Sequence, residues 1–206
     1  MDPGTRDAGP RMQGMIARGI DTLRAVTSGP LVQGRRVFVR RPVSGDRDEF
    51  LDRVSASRRL HAGWVTPPAD PEAFDAYLRR AGNDDVETLL VCRNTDGAIV
   101  GVYTLSQIFY GPLCGAYLGY YAFAPFTGQG YMHDGLRLLL RHAFGSLGLH
   151  RVEANIQPGN DASIALVRGA GFRHEGYARR YLKIAGRCRD HERWAILAED
   201  PKRRTT

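Results

Sequence analysis

The sequence predicts one α/β domain, in which helices cover both faces of a central mixed β-sheet. The first observation is the order of strand-like and helix-like segments between residues 37 and 197, which runs β, α, α, β, β, β, α, β, α, β, β. The second is the composition: 43% of the 206 residues are hydrophobic and 25% are charged, as in ordinary globular proteins. A chain of this length can bury about 70% of its unfolded surface, so its core needs no disulfide or metal.

The first elements of the domain are a short strand and two helices. Residues 37–39, Val-Phe-Val, are a short strand ended by Pro42, and a helical pattern covers residues 46–60. A second helix is predicted over residues 71–81, because Asp70 can cap it and Pro71 suits its first position.

The middle of the domain is predicted to be a hairpin followed by a third strand. Residues 87–93 and 99–107 are apolar runs on either side of the turn at residues 94–97, which ends in Asp-Gly. Residues 116–123 form the next apolar run.

The clearest helix spans residues 132–147, where leucines recur on one face and Gly148 marks the end. The remaining predicted elements are a strand at 152–156, a helix at 160–170 closed by Gly171, and strands at 177–184 and 193–197.

The net charge of +7 is concentrated at the two ends of the chain. Basic residues exceed acidic ones in residues 1–41 and 168–206, whereas acidic residues exceed basic ones between them. A dedicated nucleic-acid binder would more often carry a basic stripe across its folded body, so nucleic acid is not expected as the main ligand. We expect residues 1–35 to be a basic, flexible extension, residues 36–200 to be the domain, and residues 201–206 to be a flexible tail.

The cysteines and histidines predict no metal site. The three cysteines are far apart and form no C-x-x-C pair, and the six histidines show no metal-binding spacing. Reduced thiols, together with the lack of a signal-like or membrane-spanning apolar run, indicate a cytoplasmic protein without a membrane partner.

The most informative segment is a strand that runs into Gly128-Gln129-Gly130, directly before the clearest helix. Glycines allow the backbone to approach a ligand closely, and the free N–H groups of a helix start attract an anion. An ordinary glycine turn would have the same local pattern. The glycine spacing is neither that of a dinucleotide fold nor that of a P-loop, so neither ligand is expected.

A second helix start lies about thirty residues later, at Asn160-Asp161-Ala162-Ser163. Asn160 and Ser163 have the spacing of an N-cap and an N3 residue, so a plain helix cap explains them. The alternative is that they present an amide and a hydroxyl to a ligand in the first cradle.

Taken together, these motifs resemble the GNAT acetyltransferase superfamily, and within it the Rim-type (RimJ/RimL-like) ribosomal-protein N-terminal alanine acetyltransferases. The similarity covers roughly residues 36–198. It is carried by Leu118-Gly119-Tyr120, Gly128-Gln129-Gly130-Tyr131, His150-Arg151-Val152-Glu153-Ala154, Asn160-x-x-Ser163, Gly171-Phe172-x-x-Glu175-Gly176 and the run from Tyr181 to His191.

The resemblance implies that the chain binds acetyl-CoA as the acetyl donor and transfers the acetyl group directly to a primary amine. The pyrophosphate would lie on the backbone of the glycine turn, and the pantetheine arm would lie along the preceding strand end and against Asn160. Ser163 would protonate the leaving thiolate. The implied acetyl-CoA residues are Ala122, Phe123, Thr127, Gly128, Gln129, Gly130, Tyr131, Met132, Asn160 and Ser163.

The general base is not identified by the resemblance, because Leu182 stands where some relatives carry a glutamate. Tyr120 and Tyr121 are candidate catalytic residues, and plain strand packing is the more ordinary explanation for both. Trp64 lies where the family's acceptor loop lies and is a candidate wall of the amine pocket; a plain loop residue is the alternative.

A site without a carboxylate base suits an α-amino group better than a lysine. With a pKa near 8, an α-amine is about one-tenth neutral at pH 7, whereas a lysine near 10.4 is neutral about once in 10³. The expected acceptor is therefore a protein N-terminus. A small-molecule amine and a non-catalytic acyl-CoA-binding module remain the alternatives, and the basic extension could make a weak ribosomal contact.

Overall fold

The computed structural model describes residues 29–184 and 186–200. The strands are β1 (Val32–Gln33), β2 (Val37–Arg40), β3 (Val86–Arg93), β4 (Ile99–Phe109), β5 (Gly115–Ala122), β6 (Arg151–Ile156), β7 (Arg173–Ile184) and β8 (Arg187–Leu197). The helices are α1 (Arg47–Ala56), α2 (Arg58–His61), α3 (Pro71–Ala81), α4 (Tyr131–Arg141) and α5 (Asp161–Ala170). No helix in these ranges is both long and apolar enough to cross a bilayer.

All eight strands form a single mixed sheet, as predicted, in the order β1-β2-β3-β4-β5-β6-β8-β7. Every neighbouring pair is antiparallel except β5 and β6, which run parallel. Parallel neighbours need a crossover connection, and α4 supplies it between β5 and β6.

Helices cover both faces of the sheet where the core lies. Every residue of β3 but Arg93 is buried, although successive side chains point to opposite faces. On one face, Gly135 of α4 packs so closely on Val91 that a Cβ at Gly135 would lie 2.8 Å from it. On the other face, Phe50 of α1 contacts Phe74 of α3, with ring centroids 5.0 Å apart.

A buried ion pair supports the first strands. The Arg41 guanidinium donates two hydrogen bonds to the Glu87 carboxylate, at 2.8 and 2.9 Å, and His142 Nε2 lies 3.8 Å from the same carboxylate. Burial alone would raise the pKa of Glu87, but the contacts with His142 and Arg41 outweigh it and the pKa is lowered.

Several predicted element boundaries are wrong. The helix expected at residues 46–60 breaks at Ser57, whose hydroxyl bonds back to the Arg53 carbonyl at 2.7 Å, a contact that bends helices. The helix expected at 132–147 ends at Arg141 and continues as one π-helical turn. The strands β7 and β8 begin earlier than expected, because their polar, exposed residues carry no hydrophobic signal.

Strand β1 was not predicted, and it lies inside the segment expected to be a flexible extension. Val32 and Gln33 pair with Val39 and Phe38 of β2. Residues 1–28, which hold most of that basic extension and its suggested ribosomal contact, and the tail at 201–206 lie outside the described residues.

Candidate active site

The two parallel strands separate towards their carboxyl ends, and this opens a cleft in the sheet. Residues 115–118 of β5 pair with residues 151–154 of β6, and the pairing stops there. Beyond this point β5 stays with β4 up to Ala122, and β6 stays with β8 up to Ile156. Ligands of open α/β sheets bind in such a crevice outside the carboxyl ends of parallel strands.

The end of β5 directs backbone groups away from β4 and into this cleft, where His61 Nε2 already contacts one of them, the Ala122 carbonyl, at 2.8 Å. Phe123 N–H donates to the Val100 carbonyl at 3.0 Å. Because hydrogen-bonding residues alternate along an antiparallel pair, the N–H and C=O groups of Tyr120 and Ala122 point away from β4, towards the cleft. The backbone N–H of Phe123 faces β4, and the Phe123 ring is fully buried. Of the two strand-end residues expected to bind the donor, only Ala122 has backbone groups on the cleft side.

The glycine turn at the start of α4 has the geometry of an anion cradle. Gly128 and Gly130 have φ values of +72° and +78°, a region that other residues enter only with strain. The N–H groups of residues 128–133 donate to no acceptor within the described part of the chain. These groups lie at the positive end of the α4 dipole, where an anion is stabilised.

Side chains of the turn brace the loop and leave only its backbone for a ligand. Thr127 Oγ1 donates to the Ala124 carbonyl at 3.0 Å, and Gln129 Nε2 donates to the Pro125 carbonyl at 2.9 Å. The Met132 side chain packs on β4, where a Cβ at Gly101 would lie 2.3 Å from its sulfur.

Arg36, from the turn before β2, is a cradle residue that sequence reasoning missed. Its guanidinium donates to Asp134 in α4 at 2.7 Å and to the Gln129 carbonyl at 3.0 Å, and it lies over the Tyr131 ring, 5.2 Å from the centroid. The hydrogen bond to Asp134 raises the pKa of Arg36. This arginine fixes the position of the turn and adds a cation beside it.

The second helix start lies beside the end of β5. Asn160 Oδ1 accepts a hydrogen bond from Ser163 N–H at 3.2 Å, which confirms the helix cap. The Tyr120 hydroxyl donates to the Ser163 carbonyl at 3.2 Å. Burial raises the pKa of Tyr120 to about 12, so its phenol stays protonated at neutral pH and can donate a proton rather than accept one.

Tyr121 lies on the opposite face of the sheet from Tyr120, because neighbours in a strand alternate. Its ring contacts His61 edge-on, with centroids 5.4 Å apart. The buried Tyr121 hydroxyl lies near the Tyr77 hydroxyl, but neither hydroxyl makes a hydrogen bond with good geometry. Burial raises the pKa of Tyr121 well above its ordinary value. The structure therefore does not bring the two candidate tyrosines together.

Two side chains from the first helices clamp the end of β5. The Ser57 hydroxyl accepts from Ala124 N–H at 2.9 Å, and His61 Nε2 lies 2.8 Å from the Ala122 carbonyl. Ser57 and His61 are four residues apart and so lie on one helical face. That spacing is the local signal for the clamp, but nothing in the sequence indicates its partners more than sixty residues away.

Trp64 lies in the loop that follows His61. The Gly63 carbonyl accepts a hydrogen bond from Gln157 Nε2 at 3.2 Å, which ties this loop to the end of β6. The Trp64 side chain is 38% exposed. No cluster of three potential metal ligands occurs among the described residues.

Comparison with known proteins identifies the fold and its reaction. The sequence profile of the acetyltransferase (GNAT) domain matches residues 36–173. The chain belongs to the GNAT acetyltransferase family. It is an acetyl-CoA-dependent N-acetyltransferase, and the free N–H groups of its cradle fit a pyrophosphate.

One relative of this acetyltransferase matches most of its length, and another matches about half of it. The probable N-acetyltransferase YjcK of Bacillus subtilis is 31% identical over 178 residues, which cover 82% of this chain and 98% of that protein. The [ribosomal protein uS5]-alanine N-acetyltransferase of Escherichia coli is 36% identical over 102 residues, about half of each chain (50% and 53%).

Solved structures with the same fold include one named RimJ and one named as a ribosomal-protein-alanine acetyltransferase. Mycobacterium smegmatis RimJ in complex with CoA-disulfide is 28% identical with a TM-score of 0.72, covering 83% of this chain and 87% of that chain. The ribosomal-protein-S5-alanine acetyltransferase from Vibrio fischeri has a TM-score of 0.73 at 23% identity, covering 82% and 96% of the two chains. The second match supports the fold alone.

Proposed function

We propose that this acetyltransferase modifies the α-amino group of a protein N-terminus. The E. coli relative is named for the alanine of ribosomal protein uS5, and the M. smegmatis neighbour is named RimJ. Both names support a ribosomal protein as the acceptor.

The observation that carries this proposal is a cavity of about 210 Å³ on the acceptor face of the sheet. Its lining includes Gly119 of β5 and Tyr77, whose hydroxyl faces Tyr121, so it lies beside the cleft. The described lining holds no carboxylate and one cation; it consists of Tyr77, Arg80, Ala81, Val86, Thr88, Thr104, Ser106 and Gly119. A polyamine would need carboxylates here, whereas hydroxyls suit a peptide backbone.

Within this proposal, the predicted site residues bind successive parts of acetyl-CoA, from the pyrophosphate to the thioester. The N–H groups of residues 128–133 bind the pyrophosphate, and the Tyr120 backbone and the Ala122 N–H pair with the pantetheine arm and the thioester carbonyl. Asn160 contacts the pantetheine through its amide nitrogen. Ser163 protonates the thiolate, with Tyr120 as the neighbouring donor.

The experiment is mass spectrometry of a peptide panel incubated with the enzyme and acetyl-CoA. One set has free α-amines and differs in the first residue; the matched set has blocked N-termini and a free lysine; spermidine is a third acceptor. Acetylation confined to free α-amines, with a preference for one first residue, is the expected result. Modification of lysine or spermidine alone would overturn the proposal and favour a small or side-chain amine.

A further inference from the structure

The face of the sheet that holds the acceptor cavity continues across β6 to β8. Gly119 in the cavity lining lies two residues from Tyr117 on β5, and Tyr117 pairs with Glu153 of β6. Glu153 pairs in turn with Ala195 of β8. Because paired residues point to the same side of a sheet and alternate residues of a strand share a face, these four residues mark one continuous surface.

Strand β8 extends beyond the end of β6 on this surface. Ile156, the last residue of β6, pairs with Glu192, and residues 187–191 of β8 continue past this point, paired with β7. Alternation along β8 directs Arg187 and Arg189 to the cavity face. The β7–β8 hairpin therefore places two arginines beside the carboxyl end of β6, where the cleft opens.

A tyrosine contact holds this hairpin against β5, next to the cavity. The Tyr181 hydroxyl of β7 interacts with the Tyr117 hydroxyl, and this contact raises the pKa of Tyr117. The Tyr181 ring also lies against the His191 ring of β8, with centroids 6.2 Å apart. Since Tyr117 is two residues from Gly119, the cavity and the hairpin border one groove, which we call the acceptor groove.

Cations lie at both ends of the acceptor groove. Arg80, in the last turn of α3, is the cation of the cavity lining. Arg187 and Arg189 are exposed on the hairpin at the other end. Neither hairpin arginine forms an ion pair with a residue in the ranges that the structure describes.

The carboxylates between these two ends are already paired. Glu153 accepts hydrogen bonds from Arg151 at 2.8 Å and from Arg193 at 3.1 Å. Arg151 also pairs with Glu175 of β7, and the hydrogen bond to Arg151 lowers the pKa of Glu175. The middle of the groove is therefore close to neutral, and its positive charge comes from the two ends.

We propose that the acceptor groove selects acceptor chains that carry acidic residues shortly after the N-terminal residue. Arginine side chains bind carboxylates through paired hydrogen bonds, so Arg80 on one side and the hairpin arginines on the other attract Asp and Glu side chains. This inference rests on the proposed function, in which the acceptor amine lies at the thioester and its chain passes over this face of the sheet.

The spacing along β5 predicts which acceptor residues contact the cations. In the proposed function the thioester carbonyl lies at the Ala122 N–H, and Gly119 lies three residues before Ala122. A strand advances about 3.3 Å per residue, so the cavity begins about 10 Å from the thioester. An extended acceptor covers that distance in about three residues, so we expect the acidic side chains at about positions 3–5 of the acceptor.

The test uses peptides that share one first residue and differ only at those positions. One set carries Glu there, the second carries Gln, which keeps the shape of Glu without its charge, and the third carries Lys. We expect kcat/KM of the Glu set to exceed that of the Gln set about tenfold, and the Lys set to lie below the Gln set by a similar factor. Because these charges are exposed, the differences should largely disappear in about 1 M salt.

Two charge-reversal variants assign the preference to its residues. Arg80→Glu and Arg189→Glu should each lower the ratio of kcat/KM between the Glu and Lys sets about tenfold, with acetyl-CoA affinity unchanged by calorimetry. The matched controls are Arg79→Glu, beside Arg80 on α3 but outside the cavity lining, and Lys183→Glu, which pairs with Cys188 and so points to the opposite face. Both controls make the same change in net charge and should keep the wild-type ratio.

The outcomes separate this inference from the proposed function. Equal kcat/KM for the three peptide sets in the wild-type enzyme, with acetylation at the α-amine, would overturn the charge preference and leave the proposed function standing. A ratio that Arg79→Glu lowers as much as Arg80→Glu would also overturn it, because net charge alone would then explain the preference. Acetylation of spermidine in place of α-amines would contradict both, since a polycation is repelled by cations at the two ends of the groove.

Discussion

Asn160 caps a helix and lies at the cleft, and substitution by serine separates these two roles. Asn160 Oδ1 accepts the Ser163 N–H at 3.2 Å, and serine is an equally good N-cap. Asn160→Ser should therefore leave the melting temperature within about 1 °C. Asn160→Ala loses the cap, which costs about 1 kcal/mol and lowers the melting temperature of a chain of this size by about 2–4 °C.

The two variants should behave alike in acetyl-CoA binding, because both lack the amide nitrogen. One lost hydrogen bond to the pantetheine is worth about 1 kcal/mol, or about fivefold in Kd. Calorimetric titration with acetyl-CoA and thermal unfolding measure the two quantities on the same samples. Wild-type affinity in Asn160→Ser would refute the ligand role and leave Asn160 as a helix cap. Weakening in Asn160→Ala alone would attribute the effect to fraying of the helix end.

Three further predictions follow from the site and the core. Gly130→Trp should abolish acetyl-CoA binding, measured by calorimetry, while the circular dichroism spectrum stays native. The control Gly45→Trp, at an exposed glycine with open space around it, should bind acetyl-CoA normally. Binding of acetyl-CoA by Gly130→Trp would mean that the turn holds no ligand. Ser163→Ala should lower kcat about 100-fold with little change in KM, and an unchanged kcat would remove Ser163 from the chemistry. Glu87→Gln should destabilise the fold by about 3 kcal/mol at pH 7, because it removes the buried negative charge that faces Arg41 and His142. The folded-state pKa of Glu87 lies below its ordinary 4.5. The difference in unfolding free energy between wild type and Glu87→Gln is therefore present above pH 4.5 and is lost as the pH falls through the folded-state pKa. A difference in urea midpoints that does not change with pH would contradict this prediction.

The parts of the fold with local signals could be predicted from the sequence. The predicted Asp70 cap is present, with the side chain accepting from Ala73 N–H at 2.8 Å. Leucine periodicity located α4, and the Asp-Gly turn located the hairpin of β3 and β4. These features depend on residues within one or two turns of chain, where propensity and hydrophobic pattern act directly.

The features that were missed depend on contacts between distant segments. Arg36 reaches Asp134, 98 residues away, and His61 reaches Ala122, 61 residues away. Neither has a sequence pattern of its own, because the partner is determined only when the sheet assembles. Strand β1 is two residues long and depends on pairing with β2, so a period-2 pattern could not reveal it. The candidate tyrosines are a related case: adjacent in sequence, they belong to different faces of the sheet.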